Sequence, residues 1–553
     1  MPRGTNHARI SYHRQCPQGS LQRSLSLASP AEASARAELK KEQNLNVAKV
    51  TMRSFIAAAA LSAVAATSAS SVQYPFFGSW LPAPRAGGAA CADFTSCGDC
   101  TSSGKLLKCR WCPLANDNSC HAAGSLENKC SASQQIVDPA ACAALPPAPA
   151  PVPAATRKPV VIVPGIVGSN LQATLDKPSV PQPLCTKKQS KWFYLWLESF
   201  EIAPDAVKCM LDNLKLKHLG NGTCANNDGV TTRIDDYGGL GDINCAMPNA
   251  LCKTTKNWIE VTDALAAAGY VSGVDMFGAP FDWRYGPKTW MTREFPALQA
   301  LVERAYNDAN GTKVLLTSIS LGGPYLHLFL TQFVSQAWKD QHLDSWLSIS
   351  SLWSGAAEVV QMLTSGMVWG GANWITPLMF QGMVANWPSL AFMLPHAYTS
   401  AKDGQYVDSA FATAPNATNS TTTYKSSNMR QMLLDAGRND TAEILSSIGQ
   451  YVTSTTQPGL KVHCWYGTNV NTTVGMAWGT TDLTAQPVVQ IGNGDGTVHH
   501  ASLRVCSDWV GRAEHETVVR VWENVSHTGF QTDPEALAAI VAIATGANDT
   551  AAQ

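Results

Sequence analysis

The chain has 553 residues, of which 45% are hydrophobic and 15% charged, with 40 Lys and Arg against 41 Asp and Glu. That length can bury a large core and has room for two or three folded units. A formal net charge of -1 excludes the basic footprint that binding to nucleic acid requires.

Residues 1–51 are polar and lack apolar periodicity, as expected of a disordered segment or a mis-called extension ahead of Met52. Met52-Arg53 is followed by twelve mostly apolar residues, Phe55 to Ala66, and then by small residues through Ser71. This is the layout of a secretory signal over 52–71 with cleavage near Ala69, and it is too short to span a bilayer. The alternative is a targeting or cytosolic tail ahead of an uncleaved anchor. Eight Asn-x-Ser/Thr sites, at Asn221, Asn310, Asn416, Asn419, Asn439, Asn471, Asn524 and Asn548, are compatible with export as a glycoprotein. The expected location is therefore secreted, or the lumen of an endomembrane or lysosomal compartment.

Eight of the sixteen cysteines fall between Cys91 and Cys142, with too little apolar material between them for a core of their own. In an oxidising compartment this density reads as a disulfide framework, and zinc ligation by the two CxxC pairs is the competing reading. The spacing over 85–142, including Cys109-Arg-Trp-Cys112, resembles the plexin-semaphorin-integrin cysteine-rich module. That resemblance implies pairing of the first cysteine with the fourth, the second with the eighth, the third with the sixth and the fifth with the seventh. Residues 143–158 form a Pro/Ala-rich linker, extended and semi-rigid.

From 159 to 550 the pattern changes. Pro159 to Pro164 and Lys313 to Thr317 are continuous apolar runs of strand length, the mark of strands buried on both faces of a parallel sheet. Leu321 to Phe333 has helical spacing; Trp346 to Ile349, Lys461 to Tyr466 and Val518 to Trp522 are further strands; Asp533-Pro534 opens a last helix. Strands alternating with helices predict an α/β sheet covered on both faces.

Ser318-Ile-Ser-Leu-Gly322 lies between an apolar strand and a helix, the position of a nucleophile elbow, with Ser318 where glycine is usual. An α/β hydrolase then needs an acid and a histidine, in that order, in loops after later strands. Gly494-Asp495-Gly496 and Ser526-His527-Thr528 supply them, so Ser320, Asp495 and His527 are the expected triad. The Gly-Asp-Gly run is also a common turn, and His499 and His500 are nearby alternatives. An elbow also offers the backbone N–H of Leu321 to a developing oxyanion.

Residues 159–545 resemble the lecithin:cholesterol acyltransferase family, which includes lysosomal phospholipase A and phospholipid:diacylglycerol acyltransferases. The resemblance is carried by Val161-Ile-Val-Pro-Gly-Ile-Val-Gly-Ser-Asn-Leu171, Leu175-Asp-Lys-Pro178, Ala279-Pro-Phe-Asp-Trp-Arg284, the elbow, Asp495 and His527. It implies an α/β-hydrolase fold with cap and lid segments behind the disulfide-rich module. It also implies disulfides joining Cys185 to Cys209 and Cys464 to Cys506, a second oxyanion donor at Val167, and a lipid-contacting tryptophan at Trp196. Without the resemblance, the Pro-Gly-x-x-Gly run reads as an ordinary turn after a strand, and the aromatics of 192–197 suit a lipid–water interface and a core equally. Residues 366–386 correspond to the lid, or to a buried cap. With residues 1–51 removed, fifteen cysteines remain; once those four and the module's eight are assigned, the odd thiol falls to Cys224, Cys245 or Cys252.

Ile319 stands where relatives carry His, and Ser350-Ser-Leu-Trp-Ser-Gly355 departs from Gly-Ala-Pro-Trp-Gly-Gly, which bears on acceptor choice. The implied partners are a phospholipid donor, a sterol or other lipid alcohol as acceptor, and a membrane or lipoprotein surface. Water as acceptor would make the enzyme a phospholipase A. A catalytically inactive adhesion or binding protein is the reading from a different class. No metal or organic cofactor is indicated.

Overall fold

The computed structural model describes residues 157–196, 206–247, 252, 255–367, 375–452 and 456–547 apart from 419 and 513, with short stretches at 100–101, 109–112, 119–122 and 136. The chain divides into two compact units, 1–85 and 86–553, and every described residue belongs to the second. The expected extension at 1–51 and signal at 52–71 lie outside the described residues, as do most of the cysteine-rich stretch and residues 143–156 of the linker. Within that stretch Cys100 is joined to Cys120, the third cysteine to the sixth, and Cys109 is also in a disulfide.

Six strands form the central sheet: β1 (Val160–Val163), β2 (Met276–Gly278), β3 (Val314–Ile319), β4 (Leu343–Ile349), β5 (Lys461–Thr468) and β6 (Thr517–Glu523). All neighbours are parallel, in the order β6-β5-β4-β3-β1-β2. Alternate residues of each strand enter different cores. Val160, Ile162, Leu315 and Ile319 pack with α1 (Ile259–Ala267) and the last helix, whereas Val161, Val163, Val314 and Leu316 pack with α2 (Phe295–Asp308) and α3 (Gly322–Leu328). Burial on both faces is why the strands read as unbroken apolar runs. Edge strand β2 has three residues, too few to show a period.

The predicted helix over 321–333 is an α-helix only to Leu328 and continues as a π-helical turn, Phe329–Phe333. The last helix, α4 (Pro534–Thr545), begins at Asp533, whose carboxylate accepts from the N–H groups of Glu535 and Ala536, and it ends at Gly546 with φ 66°. Proline at the start and a left-handed glycine at the end satisfy both termini.

Smaller sheets flank this layer. Strands 171–176, 188–196 and 230–233 form one antiparallel sheet, and 410–415, 421–425, 470–477 and 488–494 form a four-stranded one whose last strand runs into Asp495. Cys185 is joined to Cys209, Cys464 of β5 to Cys506, and Cys245 to Cys252. Cys224 is the free cysteine among the described residues, which removes two of the three candidates for the odd thiol.

Arg284 of the Ala-Pro-Phe-Asp-Trp-Arg signature is fully buried. Its guanidinium donates to both carboxylate oxygens of Asp282, at 2.9 and 2.7 Å, and to Asn226 Oδ1 at 2.8 Å. Burial pushes the Asp282 carboxyl up, and the charge and hydrogen bonds of Arg284 more than offset this, holding it below the usual carboxylate range. Removing one partner of such a pair strands the other charge in the core, which costs about 3–5 kcal/mol.

Two predictions concern titration in the fold. Burial, with Asp440 nearby, pushes the Cys224 thiol up to about 12, so alkylation by iodoacetamide should be slow in the native enzyme and fast once it is denatured. Peptide mapping that finds rapid native modification of Cys224 would contradict its placement. Burial also pushes the imidazoles of His327, His396, His463 and His499 down to about 4. In the unfolded chain histidine titrates near about 6.5, so unfolding takes up protons below that pH; these groups leave stability unchanged above it and subtract stability as pH falls toward 4. The thermal midpoint should therefore drop on acidification through this window. Both ring nitrogens of His499 lack a hydrogen-bond partner, so His499→Leu should reduce the drop without lowering the neutral-pH midpoint.

Candidate active site

The chain leaves β3 at Ser320 and enters α3 within two residues, a reversal that places Ser320 at φ 57°. A serine in the left-handed region is uncommon and persists where the surroundings over-determine it. Here Ser320 N–H donates to Ile349 O of β4 at 3.0 Å, and Gly323 N–H donates to Ser320 O at 2.9 Å. The packing excludes side chains around it. A Cβ on Gly165 would lie 2.9 Å from Ser320 Cβ, one on Gly322 would lie 2.6 Å from Pro164 O, and one on Gly323 would lie 1.8 Å from Ser351 Oγ.

Asp495 is fully buried and both its carboxylate oxygens are occupied. Oδ1 accepts from Thr497 N–H at 3.0 Å and Val498 N–H at 2.8 Å, while Oδ2 lies 2.8 Å from His527 Nδ1. His527 N–H also donates to Asp495 O at 2.7 Å, fixing the two loops to each other. A carboxylate facing Nδ1 holds the proton there and leaves Nε2 as the basic nitrogen. Nε2 is buried and has no hydrogen-bond partner. It is not bonded to Ser320 Oγ, a separation common in unliganded hydrolases, whose catalytic hydrogen bonds tighten with substrate.

Both loops press on the end of β5, where a Cβ on Gly467 would meet Val525 O at 2.0 Å and Asp495 Cβ at 3.2 Å. Ser320, the Asp495 loop and the His527 loop all lie at the carboxyl ends of β3, β5 and β6, where open α/β sheets place their sites. His499 sits edge-on to Phe411, with ring centroids 5.2 Å apart, and the His500 ring tilts toward Tyr466. Neither takes the Asp495 carboxylate, which faces His527.

The segment after β1 packs against the elbow through Gly165. Gly168 N–H donates to Gly165 O at 3.2 Å, closing a turn with Val167 at φ 55°. Trp196 donates its indole N–H to Val167 O at 2.9 Å, and Trp283 donates to Ser169 O at 2.9 Å. Trp196, for which the resemblance implied lipid contact, is 3% exposed. The exposed aromatic of that strand is Trp192, 39% exposed and capped by the Arg233 guanidinium.

A profile of the lecithin:cholesterol acyltransferase family matches residues 192–456 and 446–539. The chain belongs to this family. Human lysosomal phospholipase A and acyltransferase is 29% identical over 388 residues, covering 70% of this chain and 90% of the relative. Rat phosphatidylcholine-sterol acyltransferase is 27% identical over 393 residues, covering 70% of this chain and 85% of the relative.

The departures at Ser318 and Ile319 have local explanations, and nothing in the structure explains the one at Ser350. Ser318 is fully buried, and its hydroxyl accepts from Trp346 Nε1 at 3.0 Å, so a serine fits where glycine is usual. Ile319 packs into the core on the α4 side. Ser350 adopts φ 48°, a conformation that favours the glycine of the family pattern, and its hydroxyl has no partner. Of residues 366–386, expected to be a lid or a buried cap, 375–386 carry a helix, Pro377–Val384, that buries Phe380 and Met383 and exposes Leu378, while 368–374 lie outside the described residues. Among the described residues no group of three His, Cys, Asp or Glu could hold a metal ion, and no helix is long and apolar enough to cross a membrane.

Sequence reasoning recognised Ala279 to Arg284 as a signature without giving Trp283 a task. Its only local signal is an aromatic residue between two charges, which does not show that the indole reaches the Val167 turn.

Asp495→Asn keeps the acceptor for Thr497 and Val498 but turns an amide toward Nδ1, favouring the wrong imidazole tautomer. Turnover should fall by about 10⁴-fold with the fold intact. Kinetics on a soluble ester, with circular dichroism as the control, check this; a folded variant with near-normal turnover would remove Asp495 from the triad.

Proposed function

We propose that Ser320, His527 and Asp495 transfer a fatty acyl group from a phospholipid to a lipid alcohol. Ser320 Oγ attacks the ester carbonyl as His527 Nε2 takes its proton, and Asp495 stabilises the resulting imidazolium. The carbonyl oxygen gathers charge between the backbone N–H groups of Val167 and Leu321. Collapse returns the proton to the leaving oxygen, releasing lysophospholipid and leaving an acyl ester on Ser320. His527 then deprotonates the acceptor hydroxyl, which attacks the ester, and the acylated alcohol leaves as Ser320 regains its proton.

The observation that carries this reading is the buried Asp495–His527 pair, with Nε2 unengaged, at the same sheet edge as the strained Ser320 elbow. The lipid donor and the sterol acceptor come from the relatives, whose names join phospholipase A with acyltransferase and phosphatidylcholine with sterol. Hydrolysis by water is the second reading. One acyl-enzyme serves both, and the partition between acceptors separates them. The disulfides suit a secreted or lumenal, lysosome-like setting, with peripheral contact at a membrane or lipoprotein surface.

Vesicles of labelled phosphatidylcholine, with and without a sterol or diacylglycerol, test the proposal. Lysophospholipid should form in every case, with free fatty acid alone in the absence of acceptor and acylated alcohol when one is supplied. Product rates indifferent to every acceptor would leave a phospholipase, and no lysophospholipid from any donor would overturn both readings. A fluorophosphonate should label Ser320, and labelling should be lost in Ser320→Ala.

A further inference from the structure

From Ser345 to Pro395 the chain carries one ionisable side chain, Glu358. The segment that leads to it crosses the sheet edge where the triad loops lie. Ser350 N–H, just past β4, donates to Trp465 O of β5 at 2.8 Å, Ser351 Oγ fills the space beside Gly323 of α3, and Ser354 N–H donates to Ser502 Oγ, in the segment after Asp495, at 3.0 Å. Glu358 then opens the short helix Glu358–Thr364, whose Val359, Val360 and Leu363 enter the core while Glu358 stays half-buried. That helix packs against the Pro377–Val384 helix and against the 470–477 strand, whose first residue, Val470, is bridged to Asp495.

A carboxyl in such surroundings is costly unless some charge compensates it. Neither of the two elements packed against its helix holds an ionisable side chain. Among the described residues the Glu358 carboxylate has no hydrogen bond and no ion pair. The charge it feels is that of His527. Burial pushes the carboxyl up, and the positive charge of the His527 imidazolium pushes it part of the way back down. Such an interaction is reciprocal, so the carboxylate stabilises the imidazolium as much as the imidazolium stabilises it. His527 therefore answers to two carboxyls with different tasks. Asp495 bonds Nδ1 and fixes tautomer and orientation, whereas Glu358 makes no bond and contributes charge.

We infer that Glu358 is the second carboxylate of this site, a positioning residue that acts through His527 by stabilising the imidazolium formed in each half of the transfer. The inference rests on the proposed roles of Ser320 and His527. Neutral His527 is the base, so a carboxylate that strengthens its hold on a proton moves the acid limb of activity to higher pH and raises the rate on the plateau. As pH falls, Glu358 takes up a proton over a range raised by burial, and the stabilisation fades.

The rate at which a fluorophosphonate labels Ser320, followed from about pH 4 to 9, reads the base without any lipid substrate. Glu358→Gln keeps the size of the side chain and removes its charge. Its acid limb should move to lower pH by about 0.5 to 1 pH unit and its plateau rate should fall about 2- to 5-fold, so the variant is slower than wild type at neutral pH yet loses less of its rate on acidification. Glu358→Asp restores a carboxylate and should return the limb toward its wild-type position. The downfield proton resonance of the Nδ1–H shared by His527 and Asp495 should titrate with the same displacement in Glu358→Gln. A limb unmoved in Glu358→Gln, or displaced equally in Glu358→Asp, overturns the inference and leaves the acyl-transfer reading standing, since a role confined to packing or to the start of the helix changes rate without moving the limb as the charge does. A wild-type enzyme that is not labelled at Ser320 overturns both.

Discussion

The site depends on one backbone constraint, the left-handed conformation forced on Ser320 where β3 turns into α3. The turn lifts the serine above the sheet edge and brings its neighbours into contact distances that only glycine tolerates. Gly165 faces Ser320 itself, and Gly322 faces the carbonyl of Pro164, which follows β1. The elbow and the segment after β1 therefore fit as one unit, and Ser320 cannot be displaced independently of Gly165. Native packing density turns this contact into rigidity, since any added methyl must move backbone.

A second frame holds the 165–168 turn from the other side. The buried Asp282–Arg284 pair draws in Asn226 and Thr232 from the smaller antiparallel elements, and the tryptophans beside it form a continuous edge-to-face cluster. A fully paired charge in the core is expensive to disrupt and specifies one arrangement of its neighbours, a role that suits a scaffold for a strained turn. The signature over 279–284 thus reads physically as the joint between the central sheet and the small antiparallel strands that carry Asn226 and Thr232.

The acid and base are held by different means. Asp495 is held at Oδ1 by two backbone N–H groups and at Oδ2 by His527 Nδ1, and its own carbonyl accepts from the His527 N–H. The imidazole is held on one ring nitrogen and left open on the other, the asymmetry that a proton shuttle needs.

The sequence by itself determined the elements that are fixed by local pattern. Continuous apolar runs predicted β1 and β3, the order serine, acid, histidine selected the triad candidates, and Asp533-Pro534 marked the start of α4. These are readable because strand burial and helix capping act within a few residues. Only the tertiary structure decided which histidine meets Asp495, because His499, His500 and His527 are alike as residues and the choice follows from which loop lies beside Gly467 of β5. It alone decided that Trp196 is buried against Val167 O rather than exposed, and that Cys224 rather than Cys245 or Cys252 is the free thiol. Edge strand β2, with three residues, likewise carries no period long enough to read. For Asp495 with His527 and Val167 with Trp196 the deciding contact joins residues 32 and 29 positions apart in the chain, and local composition holds no record of which partner wins.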